Sequence, residues 1–366
     1  MKRLLSLDWK SVGAVSFLLI SGLITIYSFS LGIEQNETNL FHKQLIFLGI
    51  GLALFLFFSL YDYRTWRSYS NFLYFTSILL LFAVLFLGSN IRGTSGWFEL
   101  GFFNLQPVEL VKIFVIIFLA SYFARVGYMK IGLKEFFISF LIISLPVFLT
   151  LKQPDLGSAS VLLVIWLSMS FLAGVDKKYL LILILMATLT LFLGWGVFLK
   201  DYQKERIQTF LNPERDPLGS GYNVIQSMIA IGSGGITGKG VGNGSQSQLN
   251  FLPERHTDFV FASINEGFGM IGSFLTIGFF WILFYRLLHI AKQARDRFGQ
   301  LLVGGVLAMF SYQVIINIGM NIGIVPVTGI SLPFLSYGGS FLIATMISFG
   351  ICQNVWSKRR RMVIQK

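Results

Sequence analysis

Cysteine and histidine are nearly absent from this chain of 366 residues. Cys352 is its one cysteine. A single cysteine excludes an intramolecular disulfide and any metal site built from several cysteines. The three histidines show no HExxH-type spacing, which leaves little room for a zinc site. The sequence therefore predicts no disulfide framework, and it names no cofactor with certainty.

Charged residues are also scarce, at 13% of the chain, whereas soluble domains carry about 25%. Hydrophobic residues make up 54% and the mean hydropathy is +0.70, which is typical of a membrane protein. The net charge of +12 could indicate nucleic-acid binding. However, the basic residues are spread between apolar segments and form no stripe, so we expect no nucleic-acid partner.

Apolar segments long enough to cross a bilayer recur along the whole chain, since a spanning helix needs about 20 such residues. We predict an all-α integral membrane protein of about ten transmembrane helices in a single polytopic domain, residues 1–366. The first segment is interpreted as an uncleaved anchor. The predicted spans are 12–33, 42–60, 72–88, 107–124, 135–150, 156–173, 179–198, 259–285, 300–323 and 334–356.

The distribution of lysine and arginine predicts the orientation of these spans, because cytoplasmic loops are enriched in both. Placing the N- and C-termini in the cytoplasm puts most of the basic residues inside, including the C-terminal run at 357–361. One large extracytoplasmic loop, residues 199–258, then connects helices 7 and 8. Most acidic residues fall on the outer side, which suggests that the chemistry takes place there.

The large loop contains a glycine-rich run, GSGGITGKGVGNG at 232–244. It is not a Walker A motif, because Gly240 follows Lys239 where Ser or Thr is needed. Two interpretations remain open. The run is either a tight turn that lets backbones approach closely, or a set of N–H groups that faces a lipid phosphate together with Lys239. The preceding stretch at 222–232 predicts a short amphipathic helix at the membrane surface.

Ionisable residues stand out where the predicted spans begin. In QPVELVK (106–112), Glu109 and Lys112 are three residues apart and share a helix face. They are either a structural ion pair or part of a substrate cavity, since charges inside a span are costly. In LKQPDLGSA (151–159), Asp155 either caps the next helix or binds a ligand.

The stretch FLPERHTDF (251–259) collects Glu254, Arg255, His256 and Asp258 within five positions. Asp258 can serve as an N-cap carboxylate for the helix that follows. A cap alone leaves the three neighbouring groups unexplained. A carboxylate beside an arginine and a histidine has the parts needed to take a proton near a phosphorylated substrate.

Three long motifs carry a resemblance to a known family. They are FLNPERDPLGSGYNVIQSMIAIGSGGITGKG (210–240), FLPERHTDFVFA (251–262) and GIVPVTGISLPFLSYGGS (323–340). Together with the ten-span pattern and the large loop, the chain resembles the SEDS family of membrane glycosyltransferases, to which RodA, FtsW and SpoVE belong. The arginine before the histidine of the second motif is more similar to RodA than to FtsW.

The resemblance implies that lipid II is polymerised into glycan strands on the outer face of the bacterial cytoplasmic membrane. It places the essential carboxylate at Asp258, carries the family's glutamate and lysine onto Glu109 and Lys112, and implies a class B penicillin-binding protein as partner. The chain departs from the family at three positions. Gly96 stands where the family often has an arginine, Val108 replaces a serine, and Gly267 replaces the second of two glutamates.

The hypothesis that follows is an inverting transfer with Asp258 as general base and undecaprenyl pyrophosphate as leaving group. Basic loop residues would offset the negative charge that develops on the leaving pyrophosphate, and a divalent cation is an open alternative. A lipid II flippase is the competing class, and a noncatalytic scaffold a third. The predicted substrate-binding residues are Glu109, Lys112, Asp155, Arg206, Arg215, Lys239, Glu254, Arg255 and His256.

Overall fold

The computed structural model describes residues 6–31, 37–91, 94–101, 103–126, 131–179, 181, 185, 204, 208–217, 219 and 221–359. Within these ranges the chain is nearly all helical. The helices are α1 (Trp9–Ser30), α2 (Glu37–Leu60), α3 (Tyr63–Ser68), α4 (Ser70–Leu87), α5 (Pro107–Val126), α6 (Leu133–Lys152), α7 (Leu156–Ala173), α8 (Tyr222–Gly234), α9 (Ser245–Gln248), α10 (Val260–Gln293), α11 (Arg297–Asn321) and α12 (Gly339–Ser357).

Nine helices of the described part are long and apolar enough to cross a membrane: α1, α2, α4, α5, α6, α7, α10, α11 and α12. They coincide with nine of the ten predicted spans, so the all-α prediction is confirmed. The tenth predicted span, 179–198, lies almost wholly outside the described residues. The cytoplasmic location of both termini and the side of the membrane on which each loop lies stay predictions.

A small antiparallel sheet was not predicted. It consists of β1 (Ser89–Ile91), β2 (Thr94–Glu99) and β3 (Asn104–Leu105), in the order β1-β2-β3. It connects α4 to α5 at one end of the bundle. Its strands are too short to give a clear alternation of apolar and polar residues, which is the signal that predicts a strand.

Three predicted span boundaries were wrong by five residues or more, and one of them is the start of α2, which lies at Glu37 and not at 42. The last span was predicted to begin at 334, but α12 begins at Gly339, because the residues before it form a loop with Phe334 and Gly338 at positive φ. The span predicted to end at 285 continues to Gln293. The loop before α12 is apolar, which explains why the last span was predicted to begin too early, since hydropathy alone cannot separate a buried loop from a helix.

The two ends of the bundle differ in their polar groups. One end carries ion pairs that join distant parts of the chain. Arg286 Nη2 lies 2.6 Å from Asp8 Oδ1, and Lys358 Nζ lies 3.0 Å from Asp62 Oδ2. Burial raises the pKa of Asp62, but the hydrogen bonds from the Arg64 N–H and from Lys358, together with the positive charges of these two residues, outweigh burial and leave that pKa lowered. These pairs tie the helices together at the end opposite the cavity described below.

The glycine-rich run packs against a kink in α10. Gly269 interrupts that helix with a φ of 66°, and the N–H of Met270 donates to the carbonyl of Gly235 at 2.9 Å. A Cβ on Gly238, whose φ is +79°, would lie 2.2 Å from the carbonyl oxygen of Gly267. The glycines therefore allow the close backbone approach that was one of the two interpretations of this run.

Candidate active site

A polar cavity of about 480 Å³ lies at one end of the helix bundle. It is bounded by the beginnings of α5, α7 and α12, by the sheet, by the turn before α10 and by the loop that precedes α12. Its polar lining residues include Lys43, Gln106, Glu109, Lys112, Asp155, Asp258, Gln313, Thr328, Tyr337 and Ser340. Residues far apart in the sequence therefore share one chamber.

Asp258 is half-buried and lines this cavity. It lies in a turn in which the carbonyl of Glu254 accepts the N–H groups of Thr257 and Asp258, each at 3.1 Å. The carbonyl of Asp258 accepts hydrogen bonds from Asn317 Nδ2 at 2.9 Å and Asn321 Nδ2 at 3.0 Å. Two buried amides of α11 thus fix the backbone that carries the carboxylate.

The loop before α12 holds the same turn from the other side. Ser336 Oγ donates to the carbonyl of Thr257 at 2.6 Å, and the N–H of Tyr337 donates to the carbonyl of His256 at 2.8 Å. Backbone groups are strong donors and acceptors that a buried segment must satisfy. These contacts explain why HTDF and the SYGGS segment are brought together.

The remaining members of the predicted cluster do not line the cavity. Arg255 is only 4% exposed, and its guanidinium lies 5.0 Å from the centre of the Phe29 ring. The ring of His256 lies edge-on to Tyr337, with centroids 5.6 Å apart. Glu254 Oε2 accepts from Thr257 Oγ1 at 3.0 Å. Of the four neighbouring groups, the structure brings only Asp258 into the chamber.

Glu109 and Lys112 form the ion pair that their spacing predicted, and the pair lies in the wall of the cavity. Lys112 Nζ lies 2.8 Å from Glu109 Oε1, and the two side chains are 3% and 9% exposed. Both residues also line the cavity. The pair is therefore a buried ion pair in the wall of the chamber.

The two carboxylate oxygens of Asp155 make different contacts. Its Oδ1 accepts from the N–H of Ser158 at 2.8 Å and caps α7. Its Oδ2 accepts from Gln106 Nε2 at 3.3 Å. The second contact joins the QPVELVK and QPDLG segments at the cavity wall, so the cap prediction is confirmed and Asp155 lies among the lining residues.

The basic residues predicted in the large loop do not line the chamber in the described part of the chain. Lys239 lies 3.2 Å from Glu266 Oε1, whose side chain is fully buried. Glu266 also accepts the N–H groups of Gln246 and Ser247 at 2.8 and 2.9 Å. Arg215 is exposed and lies 3.4 Å from Gln208 Oε1. Arg206 falls outside the described residues.

Sequence reasoning missed the polar face of α11. Gln313, Asn317 and Asn321 follow one another at intervals of four, which places them on one face of the helix. All three are at most 2% exposed. Three amides at this spacing in an otherwise apolar span were a signal that could have been used, because polar residues inside spans usually face the bundle interior.

We expect Asn317→Leu to lower the free energy of unfolding by about 1–3 kcal/mol, the typical cost of an unsatisfied buried polar group. Asn317 Nδ2 donates to the carbonyl of Ile330 at 2.7 Å and to the carbonyl of Asp258. Leucine has a similar volume but no hydrogen-bond donor. Thermal unfolding in detergent measures the change. Asn212→Leu, at an exposed position, is the control, and equal stability of the two variants would contradict this account.

The part of the chain that the structure describes contains no group of three or more His, Cys, Asp or Glu side chains arranged to hold a metal ion. The carboxylates of Glu109 and Asp155 already accept hydrogen bonds within the protein. The divalent cation therefore stays a prediction without a defined set of protein ligands, and no chemical step below is derived through it.

Comparison with known proteins gives three consistent results. A family described as "Cell cycle protein", which groups FtsW, RodA and SpoVE, matches residues 10–361. The chain is 36% identical over 345 residues to the peptidoglycan glycosyltransferase MrdB of Escherichia coli K12, covering 94% of this chain and 92% of that protein. It is 39% identical over 345 residues to the stage V sporulation protein E of Bacillus subtilis, covering 92% and 93%.

Solved structures show the same similarity. A chain from a structure of a peptidoglycan synthase complex that coordinates polymerization and crosslinking has a TM-score of 0.82 at 35% identity, covering 97% of this chain and 99% of that one. The crystal structure of the rod shape determining protein RodA of Thermus thermophilus has a TM-score of 0.73 at 29% identity, covering 97% and 98%.

Proposed function

The chain belongs to the SEDS family of FtsW, RodA and SpoVE, and on that premise we propose that this multi-pass membrane protein polymerises lipid II into glycan strands at the outer face of the bacterial cytoplasmic membrane. The observation that carries the proposal is the position of Asp258 in a polar cavity at one end of the bundle. A carboxylate there can meet a headgroup whose lipid tail stays in the bilayer.

The proposed step is a direct displacement. The 4-hydroxyl oxygen of the acceptor sugar attacks the anomeric carbon of the donor, and the bond from that carbon to the pyrophosphate oxygen breaks. The hydroxyl proton passes to the Asp258 carboxylate, and undecaprenyl pyrophosphate leaves with the electron pair. An α-linked donor gives a β-linked product. One base on the attacking side suffices for inversion, whereas retention needs a second carboxylate as nucleophile.

The leaving pyrophosphate requires positive charge nearby. Lys43 and Lys112 both line the cavity. We propose that these two ammonium groups offset the charge that develops on the leaving pyrophosphate, with Lys112 held in the wall by Glu109. We propose that exposed Arg215, together with Arg206 of the same predicted loop, attracts the anionic headgroup. Lys239 and Arg255 lie away from the cavity wall and are proposed to act through the fold of the loop.

A lipid II flippase is the second candidate, because a buried ion pair within a span, Glu109 with Lys112, is typical of transport pathways. Proteoliposomes containing the purified chain and fluorescent lipid II separate the two. We expect glycan polymer on gels. Translocation of lipid II without any polymer would support the flippase and contradict the glycosyltransferase.

We further propose a class B penicillin-binding protein as partner, which would crosslink the strands. The support is the similarity to a chain of a peptidoglycan synthase complex that coordinates polymerization and crosslinking. Co-purification of this chain with its class B transpeptidase in detergent tests the proposal. Separate elution of the two proteins, each folded, would contradict it.

A further inference from the structure

Gly329 is an exposed glycine in the wall of the cavity, beside the carboxylate of Asp258. Its φ is +73°, in the left-handed region that glycine adopts without strain. A Cβ at this position would lie 3.6 Å from Asp258 Oδ2, and apart from the two chain neighbours it would meet no other described atom within 4 Å. The space that a side chain would fill is therefore open to the chamber and borders one carboxylate oxygen.

The other glycines of the cavity wall have different surroundings. A Cβ on Gly339 would lie 2.7 Å from the ring of Phe47, so this glycine leaves room for a neighbouring side chain. A Cβ on Gly101 would meet no described atom within 4 Å. Among the glycines that line the cavity in the described part of the chain, only Gly329 has its open side against the carboxylate of Asp258.

The backbone on both sides of this glycine is held in place. Asn317 Nδ2 donates to the carbonyl of Ile330 at 2.7 Å and to the carbonyl of Asp258 at 2.9 Å, so one amide joins the two segments. On the other side, a Cβ on Gly157 would lie 2.7 Å from the carbonyl oxygen of Thr328, because the first turn of α7 packs closely on the loop. The loop has little room to withdraw, so an added side chain would stay against the carboxylate.

The proposed base needs open space next to its oxygen. A hydroxyl that gives up its proton must come within about 2.6–3.2 Å of the carboxylate oxygen. A sugar hydroxyl is attached to a ring, so the ring atoms around it must also find room near that oxygen. Glycine is the usual residue where a backbone closely approaches a ligand. The bare surface of Gly329 beside Asp258 Oδ2 meets this requirement.

We propose that the ring of the acceptor sugar lies against Gly329, with its 4-hydroxyl directed at Asp258 Oδ2. This inference rests on the proposed function, and it locates the acceptor within the chamber. Gly329 takes no part in the proton transfer. It leaves room for one of the two substrates, so a side chain at this position should interfere with the acceptor and not with the donor.

The test uses two analogues of lipid II that separate the two substrates. The first has a carbon atom in place of the anomeric oxygen, so that it can only accept. The second lacks the 4-hydroxyl of the acceptor sugar, so that it can only donate. A mixture of the two gives one product, in which a single glycosidic bond has formed. The KM of each analogue is measured with the other in excess.

In Gly329→Ala we expect the KM of the acceptor-only analogue to rise about tenfold or more, because the new methyl group occupies space that the sugar ring needs. The KM of the donor-only analogue should stay unchanged. Gly174→Ala is the matched control. Gly174 also has a positive φ, of +91°, and a Cβ there would meet no described atom within 4 Å. It ends α7 away from the cavity, so this variant carries a similar backbone strain and should keep both KM values.

Two results would overturn the inference: an unchanged KM of the acceptor-only analogue in folded Gly329→Ala, or an equal rise in both KM values. If the alanine variant does not fold, Gly329→Asn takes its place with Gly174→Asn as control, since asparagine tolerates the left-handed region better than alanine. The same selective rise is expected. An unaltered protein that forms no polymer from lipid II would contradict the proposed function itself, which differs from an active protein whose acceptor KM is insensitive to Gly329.

Discussion

Asp258→Asn is expected to reduce glycan synthesis by about 10²- to 10⁴-fold, the usual contribution of a general base. Asparagine has the same shape but no basic oxygen that can take the proton of a sugar hydroxyl. The contacts with Asn317 and Asn321 involve the backbone carbonyl of residue 258, so the substitution leaves them in place. The measurement is polymer formed from labelled lipid II by the purified protein.

A folded but inactive protein is the result that this account requires. We expect the thermal unfolding temperature of Asp258→Asn to stay close to that of the unaltered protein. We also expect lipid II binding to be retained, because the neutral amide still fits the cavity. Glu214→Gln removes an exposed carboxylate of the large loop and should leave the rate unchanged. A rate near the unaltered value in Asp258→Asn would remove Asp258 from the mechanism.

The spans were predictable because their signal is local. Long apolar segments must form helices in a bilayer, where each backbone group needs a partner within the segment. Nine of the ten predicted spans appear as helices in the described residues. The boundary before α12 was not predictable in the same way, since LPFL in the preceding loop is as apolar as a helix and is buried by tertiary contacts.

The composition of the candidate site was predicted in part. Four of the predicted residues line the cavity. Glu109 and Lys112 were predicted because a charge inside a span is costly, and Asp155 and Asp258 because each can cap the helix that follows. Arg255 was predicted to bind substrate because it lies three residues before Asp258 in the sequence. Side chains of nearby residues in a turn point in different directions, and Arg255 packs instead on Phe29.

Residues that come from distant segments could not be assigned without the fold. Lys43 of α2 and Thr328 of the loop before α12 line the same chamber, yet no spacing relates them to Asp258. The glycine-rich run shows the same limit. Its glycines are required because the backbone of the run approaches the kink at Gly269 closely. No local pattern in the run indicates that this kink is its packing partner.

Lys112→Met is expected to lower the free energy of unfolding by about 3–5 kcal/mol, the cost of leaving one buried charge without its partner. Glu109 would remain in the cavity wall, where its side chain is 9% exposed. The double variant Glu109→Gln, Lys112→Met removes both charges and keeps similar volumes. We expect it to recover most of the lost stability, because neutral replacements of buried pairs are often tolerated. Thermal unfolding in detergent gives both values.

The activity of the double variant then decides between the two functions of the pair. If the charges only stabilise the fold, a stable double variant should polymerise lipid II normally. We expect instead a loss of about tenfold or more, because the pair borders the chamber and a preorganised charge near a reacting group is worth several kcal/mol. Arg64→Met is the control. Its pair with Asp296 at the opposite end is 41% and 34% exposed, so its loss should cost about 1 kcal/mol or less and leave the rate unchanged. Full activity in a stable double variant would limit Glu109 and Lys112 to a structural function.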